Sequence, residues 1–297
     1  MLKKDNEVEC NNIQPTGYVS DSNEEQERLI KQDNLFKKFD DEIWNNLLNG
    51  KANLKILDIG CNCGNLIIDR VGNRKECAKI IGIDYYKENI DYANKKYGSI
   101  NRHFYLCDVE SPNLEKTLNF ISEDNNINKF DIIHLSLILL HLKNPQKLLE
   151  RLKNFLSKDG VILIKDADDG LNFAYPDENG DFDKLYKMCS IDNCSGDRKT
   201  GRKLYSYLVN AGYSNIKIEK IGLNSLNLNA KEKLNMYDVY FSFILSDAEE
   251  RKNNNPYNKQ YLKDWQWFSQ NYEKLKMKFI EKDFIFNFGL MAYTAKT

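Results

Sequence analysis

Residues 53–65, Asn-Leu-Lys-Ile-Leu-Asp-Ile-Gly-Cys-Asn-Cys-Gly-Asn, restrict the fold more than any other stretch of the chain. The run Lys55-Ile56-Leu57 suits a buried strand, and Asp58-Ile59-Gly60 ends it. Cys61-Asn62-Cys63-Gly64 turns the chain, and Leu66-Ile67-Ile68 opens a helical pattern. A glycine turn between a strand and a helix start lets backbone N–H groups approach a ligand closely. The glycines are spaced G-x-x-x-G, without the middle glycine of the G-x-G-x-x-G turn that cradles a dinucleotide pyrophosphate. Ile80-Ile81-Gly82-Ile83-Asp84 is a second strand, ending in an acid suited to ribose hydroxyls. His103 to Val109 is a third, with Asp108 as its terminal acid.

The alternation continues. Phe130 to Ser136 reads as a fourth strand, Leu148 to Leu156 as a helix stopped at Lys158-Asp159-Gly160, and Val161 to Lys165 as a fifth strand. Strands alternating with helices predict an α/β doubly wound, mostly parallel sheet. Ile216 to Ile218 and Phe284 to Thr294 complete seven strands. Between these last two, residues 223–282 read as two aromatic-rich helices. Near the start, Ser22 or Asn23 caps a helix with Glu24, Glu25 and Glu27 in its first turn, followed by apolar residues from Leu29 to Leu48 at helical spacing.

Three strand ends carrying DIGCNCG, GID and CDV in that order resemble the class I S-adenosylmethionine-dependent methyltransferases. The string Leu140-His141-Leu142-Lys143-Asn144-Pro145, the GD-R-x-x-GR-x-L run from Gly196 and the terminal GLMAYTAK resemble the UbiE-like small-molecule members. The resemblance implies a Rossmann-like fold with an N-terminal helical cover and a helical lid inserted before the last strand. The expected division is a flexible arm over 1–16, a methyltransferase domain over 17–222 with 283–297 (its cover being 17–50), and a lid over 223–282. It also implies S-adenosyl-L-methionine as cofactor, with S-adenosyl-L-homocysteine as product. The residues it assigns to the donor are Asp58, Gly60, Cys61, Asn62, Gly64, Asp84, Tyr85, Asp108, Val109 and Leu135, with Tyr18 and Arg28 over the methionine end.

The end of the fifth strand, Lys165-Asp166-Ala167-Asp168-Asp169-Gly170, places three carboxylates at the sheet's carboxyl edge, where open α/β sheets bind ligands. A carboxylate there orients an amine, takes its proton or attracts a cation; a solvated loop and a metal site stay open as readings. Asp166, Asp168 and His141 are the catalytic candidates. Asp169, Tyr175, Tyr240 and Trp265 are the substrate-binding ones, and no metal ligands are assigned. His134 and His141 both have a packing reading beside a catalytic one. The expected function is methyl transfer to a small molecule, with nitrogen of an amine, amino acid or guanidine favoured by the acids. The alternatives are O- or C-methylation of a phenol, quinone precursor or carboxylate, and a catalytically silent donor-binding partner or sensor. Ser136-Leu137-Ile138-Leu139 stands where nucleic-acid amino-methyltransferases carry N/D-P-P-Y/W.

Composition narrows the partners. A net charge of -1 and a pI near 6.4 supply no basic field for nonspecific nucleic-acid binding. No run reaches the ~18 apolar residues of a membrane span, and no apolar leader follows Met1-Leu2-Lys3-Lys4. The seven cysteines lack a framework spacing, and Cys61-x-Cys63 is too tight for the usual C-x-x-C pair, so small apolar fillers beside the turn are expected. A reducing cytoplasm is the expected location, with a homodimer left open.

Overall fold

The computed structural model describes residues 23–189 and 196–297. The N-terminal arm, Tyr18 and the Ser22 cap fall outside the described residues, as does Cys194. Eight strands form one sheet: β1 (Leu54–Ile59), β2 (Cys77–Asp84), β3 (Arg102–Leu106), β4 (Phe130–Ser136), β5 (Leu156–Ala167), β6 (Phe173–Tyr175), β7 (Ser214–Asn224) and β8 (Ile285–Lys296). The order runs β3-β2-β1-β4-β5-β8, parallel up to β5, with β8 antiparallel to β5 and both β6 and β7 antiparallel to β8. The seven expected strands are present. The three-residue β6 is the addition, too short for a period-two signal to stand out.

Nine α-helices accompany the strands among the described residues: α1 (Asn23–Leu48), α2 (Asn65–Val71), α3 (Lys87–Tyr97), α4 (Leu114–Asp124), α5 (Pro145–Leu152), α6 (Asp181–Cys189), α7 (Leu204–Asn210), α8 (Ala230–Asn254) and α9 (Lys259–Phe279). None is long and apolar enough to cross a membrane.

Strand periodicity sorts the core into two layers. Leu54 and Ile56 of β1, Ile132 of β4 and Phe286, Phe288, Leu290 and Ala292 of β8 face α1, α8 and α9. Leu57 and Ile59, Ile133 and Leu135, and Met291, Tyr293 and Ala295 face the opposite layer with α4, α5 and α7. Strand β1 pairs with β2 on one side and β4 on the other, so the order reverses there, and ligands of such sheets bind beyond the carboxyl ends at that reversal.

The inserted helices are a packed layer. Tyr237, Tyr240 and Phe241 of α8 are fully enclosed and share one cluster with Phe36 and Trp44 of α1 and Phe279 of α9. Helix α8 begins at a reciprocal cap, in which Asn229 Oδ1 accepts the Glu232 N–H at 3.0 Å and Glu232 Oε2 accepts the Asn229 N–H at 2.9 Å.

Candidate functional site

The turn after β1 is built from backbone. Gly60, Asn62 and Gly64 have φ of 68°, 48° and 74°. The left-handed region favours glycine, and a Cβ at Gly64 would stand 2.8 Å from the Phe104 ring. The Gly60 and Cys61 N–H groups bond the Ile83 carbonyl at 2.8 and 3.0 Å, tying the turn to β2. Asp84, at the end of β2, closes it: Oδ2 accepts the Asn62 N–H at 2.9 Å and Oδ1 the Tyr86 N–H at 3.0 Å. Burial raises the Asp84 carboxyl above the ordinary range, against the lowering effect of these N–H groups. Cys61 and Cys63 are buried beneath, and desolvation pushes their thiols up, Cys63 to about 11, so both are packing groups and not reactive thiolates.

Beside the turn, Tyr85 is exposed with its ring 4.0 Å from that of Tyr86. Asp108 Oδ1 accepts the Glu110 N–H at 2.9 Å, and Val109 is buried next to it. Leu135 is enclosed in the core layer facing α4 and α5, so its side chain packs there and only its backbone is left to meet a ligand.

On the α1 side, the inward positions turn polar toward the carboxyl edge. Ile56 is followed by Asp58, Ile132 by His134 and Leu163 by Lys165. His134 Nδ1 lies 2.6 Å from Asp58 Oδ1, and Trp44 meets the imidazole edge-on at 5.2 Å. One step further out, Lys165 Nζ donates to both Asp40 oxygens at 2.8 and 2.7 Å, and Arg70 Nε donates to Asp40 Oδ2 at 3.1 Å. Arg70 also donates to the Asp33 carbonyl at 2.6 Å. Sequence reasoning passed over this group. The signal was available: Asp33, Asp40 and Trp44 fall on the stripe that carries Phe36 and Phe39, where a carboxylate needs a partner.

The three acids at the end of β5 are not an open anionic edge. Asp166 is 0% exposed and accepts the Leu140 N–H at 3.2 Å and the Ala167 N–H at 2.8 Å. Burial pushes its carboxyl up to about 7. Asp168, 1% exposed, holds Arg202 at 2.7–2.9 Å. Asp169 holds Arg198 through both oxygens at 3.0 and 3.1 Å. The reading of Asp166 and Asp168 as acids free to meet a substrate, and of Asp169 as a substrate carboxylate, is therefore corrected. Asp166 fixes the turn that carries His141, and the other two carboxylates are neutralised by guanidiniums.

His141 is exposed to solvent, although protein groups crowd around its ring. Desolvation, and next the charge of Arg198, hold its imidazole down to about 4, so it is neutral at pH 7. Arg198 also lies 5.3 Å from the Phe243 ring centroid and 5.9 Å from that of Tyr240. Arg28 lies 5.8 Å from the Phe243 centroid and donates to the Val239 carbonyl at 3.0 Å. Tyr240 itself is core: its ring packs 4.7 Å from Phe288, and its hydroxyl accepts from Asn172. Trp265 is placed on α9 beneath the Lys252 ammonium, 3.5 Å from the ring centroid, and Tyr175 is 69% exposed on β6.

Residues 50–212 match the family model described as a methyltransferase domain. A ubiquinone biosynthesis O-methyltransferase of Glaesserella parasuis is 30% identical over 122 residues, 40% of this chain and 48% of that protein. An uncharacterized methyltransferase of Schizosaccharomyces pombe is 28% identical over 167 residues, 54% of this chain and 56% of that one. The chain thus spans about half the length of these curated relatives. Among solved structures, phosphoethanolamine N-methyltransferase 2 of Haemonchus contortus with S-adenosyl-L-methionine superposes with TM-score 0.49 at 16% identity, over 91% of this chain and 56% of that one. The YcgJ protein of Bacillus subtilis gives 0.49 at 15% identity, over 87% and 98%.

Proposed function

Because the chain belongs to the family of methyltransferase domains, we propose that its S-adenosylmethionine-dependent activity is directed at a small-molecule acceptor held beyond the carboxyl edge of the sheet, between the β1–α2 turn and His141. The observation that carries the reading is the Asp84 carboxylate, held by the Asn62 and Tyr86 N–H groups at the end of the strand beside the glycine turn.

The residues present fit the donor. Asp84 would meet the ribose hydroxyls, and the side-chain-free Gly60 and Gly64 would let backbone approach the nucleoside and methionine. Asp108 and Val109 flank the position of the adenine, with Tyr85 on the open side. When bound, S-adenosylmethionine supplies an electrophilic methyl on a sulfonium. What the chain contributes is position: the packed α1 and α8 hold the acceptor's side of the pocket rigid, and a well-aligned nucleophile removes much of the barrier. His141, neutral and accessible, is the group that would take the proton released by the acceptor.

The acceptor atom follows from charge. Asp168 and Asp169 are paired to Arg202 and Arg198, so neither is open to attract an acceptor's ammonium. A guanidinium near His141 suits an oxygen nucleophile, phenolic or carboxylic, better than the amine that the bare sequence favoured. The G. parasuis relative is named for O-methylation, which agrees in kind.

The test is product formation. With S-adenosylmethionine and matched panels of phenols, carboxylic acids and amines, S-adenosylhomocysteine release is expected with oxygen acceptors and is expected to fall about 100-fold in His141→Ala, the usual scale for loss of a general base. Preference for an amine would return the acceptor atom to nitrogen. Background release with every panel, beside tight donor binding, would favour a silent donor-binding protein.

A further inference from the structure

We infer that Asp33 of α1 is the carboxylate that pairs with the ammonium group on the methionine half of the donor, an assignment that rests on the donor reading above. Four acids approach the β1–α2 turn from the α1 side and from β2: Asp33, Asp40, Asp58 and Asp84. Three are already engaged. Asp40 holds Lys165 and Arg70, Asp58 holds His134, and Asp84 holds the Asn62 and Tyr86 N–H groups. Asp40 and Asp58 are also closed to solvent. Asp33 is half-buried, with accessible surface, and its carboxylate accepts no hydrogen bond among the described residues.

The helix places it over the turn. Trp44 meets His134, and Asp40 meets Lys165, which lies one inward position further toward the carboxyl edge than Leu163, the register partner of His134. Going back along α1 therefore moves outward over that edge. Seven more residues carry Asp33 about 10 Å beyond Asp40 on the same face. The Arg70 bond to the Asp33 carbonyl fixes that part of the helix at 2.6 Å. The field of Asp33 reaches the Cys63 thiol in the turn, and the field of Asp58 reaches Asp33.

A half-buried carboxylate without a hydrogen-bonded partner is costly, and an incoming ammonium relieves that cost. The groups facing Asp33 are Lys165 from β5, Arg70 from α2, Asp58 from β1, Cys63 from the turn and Asp40 on its own helix. Desolvation outweighs the two cations and pushes the carboxyl up to about 7. Pairing requires the ionised form, so donor-product affinity rises between pH 6 and pH 8.

Calorimetric titration of the full chain and of Asp33→Asn with S-adenosylhomocysteine and with 5′-methylthioadenosine tests this. The second ligand keeps adenine, ribose and thioether but has no amino-acid end, and neither carries a sulfonium. In Asp33→Asn the affinity for S-adenosylhomocysteine should fall about tenfold, the scale of one charge-assisted hydrogen bond. The affinity for 5′-methylthioadenosine should stay within about twofold, the ordinary scatter for a site whose contacts are untouched. The pH dependence of S-adenosylhomocysteine affinity between pH 6 and pH 8 should flatten. Unchanged S-adenosylhomocysteine affinity in the variant overturns the assignment. So does an equal loss for both ligands, which would make Asp33 a support of the turn. If the unaltered chain binds neither ligand, the donor reading fails first and takes this assignment with it.

Discussion

Asp58 of β1 and His134 of β4 stand opposite each other in register, and their side chains meet at 2.6 Å beneath the edge of Trp44. Two adjacent strands thus place a buried hydrogen bond under the turn that follows one of them, and α1 is seated on it. Replacing His134 with Ala leaves Asp58 without its partner and opens a gap under Trp44. A loss of about 2–4 kcal/mol in unfolding free energy is expected from the orphaned acceptor and the cavity. Urea unfolding of the variant measures it, and a change under about 0.5 kcal/mol, the range of ordinary surface substitutions, would remove the pair from the supports of the fold.

Asp84 is expected to separate binding from stability. Its carboxylate accepts the Asn62 and Tyr86 N–H groups at the end of β2, beside the glycine turn. In Asp84→Ala, S-adenosylhomocysteine affinity should drop about 100-fold, as for two charge-assisted hydrogen bonds to a ribose. Because burial raises the carboxyl, removing it relieves a desolvation cost, which offsets the two lost N–H contacts, and the melting temperature should move by only a few degrees. A collapsed melting temperature with unchanged affinity in the folded fraction would refute the ribose role.

The sheet order was legible because each parallel strand announces itself locally: an apolar run, an acid or glycine at its end, then a helix. Ile56 to Gly60 and Ile80 to Asp84 needed no long-range information. The acids at the end of β5 were legible as a location but not as a chemistry. Their partners Arg198 and Arg202 lie about thirty residues on, in a segment whose approach to Asp168 and Asp169 depends on β8 and the turn before α7. Lys165 is the same case in reverse: in sequence it opens an acidic loop, while in space it pairs with Asp40, 125 residues earlier. Tyr240 and Trp265 sit on one aromatic stripe, and periodicity cannot say which ring faces a pocket, Phe288 or Lys252. Local pattern gives elements and pocket location; ion pairs across the fold decide charge.

Asp166 gives stability a pH dependence. Its folded value of about 7 lies above the ordinary 3.8. Its contribution is therefore fully present below the unfolded value and is lost as pH rises through about 7, at about 1.4 kcal/mol per pH unit at the steepest. Stability of the unaltered chain should fall between pH 6 and pH 8 by about 1 kcal/mol more than that of Asp166→Asn, which cannot ionise. Urea midpoints at the two pH values provide the comparison. Parallel declines in both proteins would mean that Asp166 is ionised in the fold throughout this range.

Arg198 links the acid loop to His141, and its replacement should move two observables for different reasons. In Arg198→Met, Asp169 keeps its burial but loses both guanidinium bonds, so unfolding free energy should fall by about 3 kcal/mol, as for a buried ion pair with one partner removed. The guanidinium charge also helps hold the His141 imidazole at about 4, with desolvation the larger cause. Without it the imidazole titrates higher. On the proposed role of His141 as the base, the acidic limb of kcat/KM should therefore move upward in pH by a fraction of a unit to one unit. A merely structural Arg198 would lower stability and leave the position of that limb unchanged. The pH–rate profile of the folded variant, measured below its lowered melting temperature, distinguishes the two.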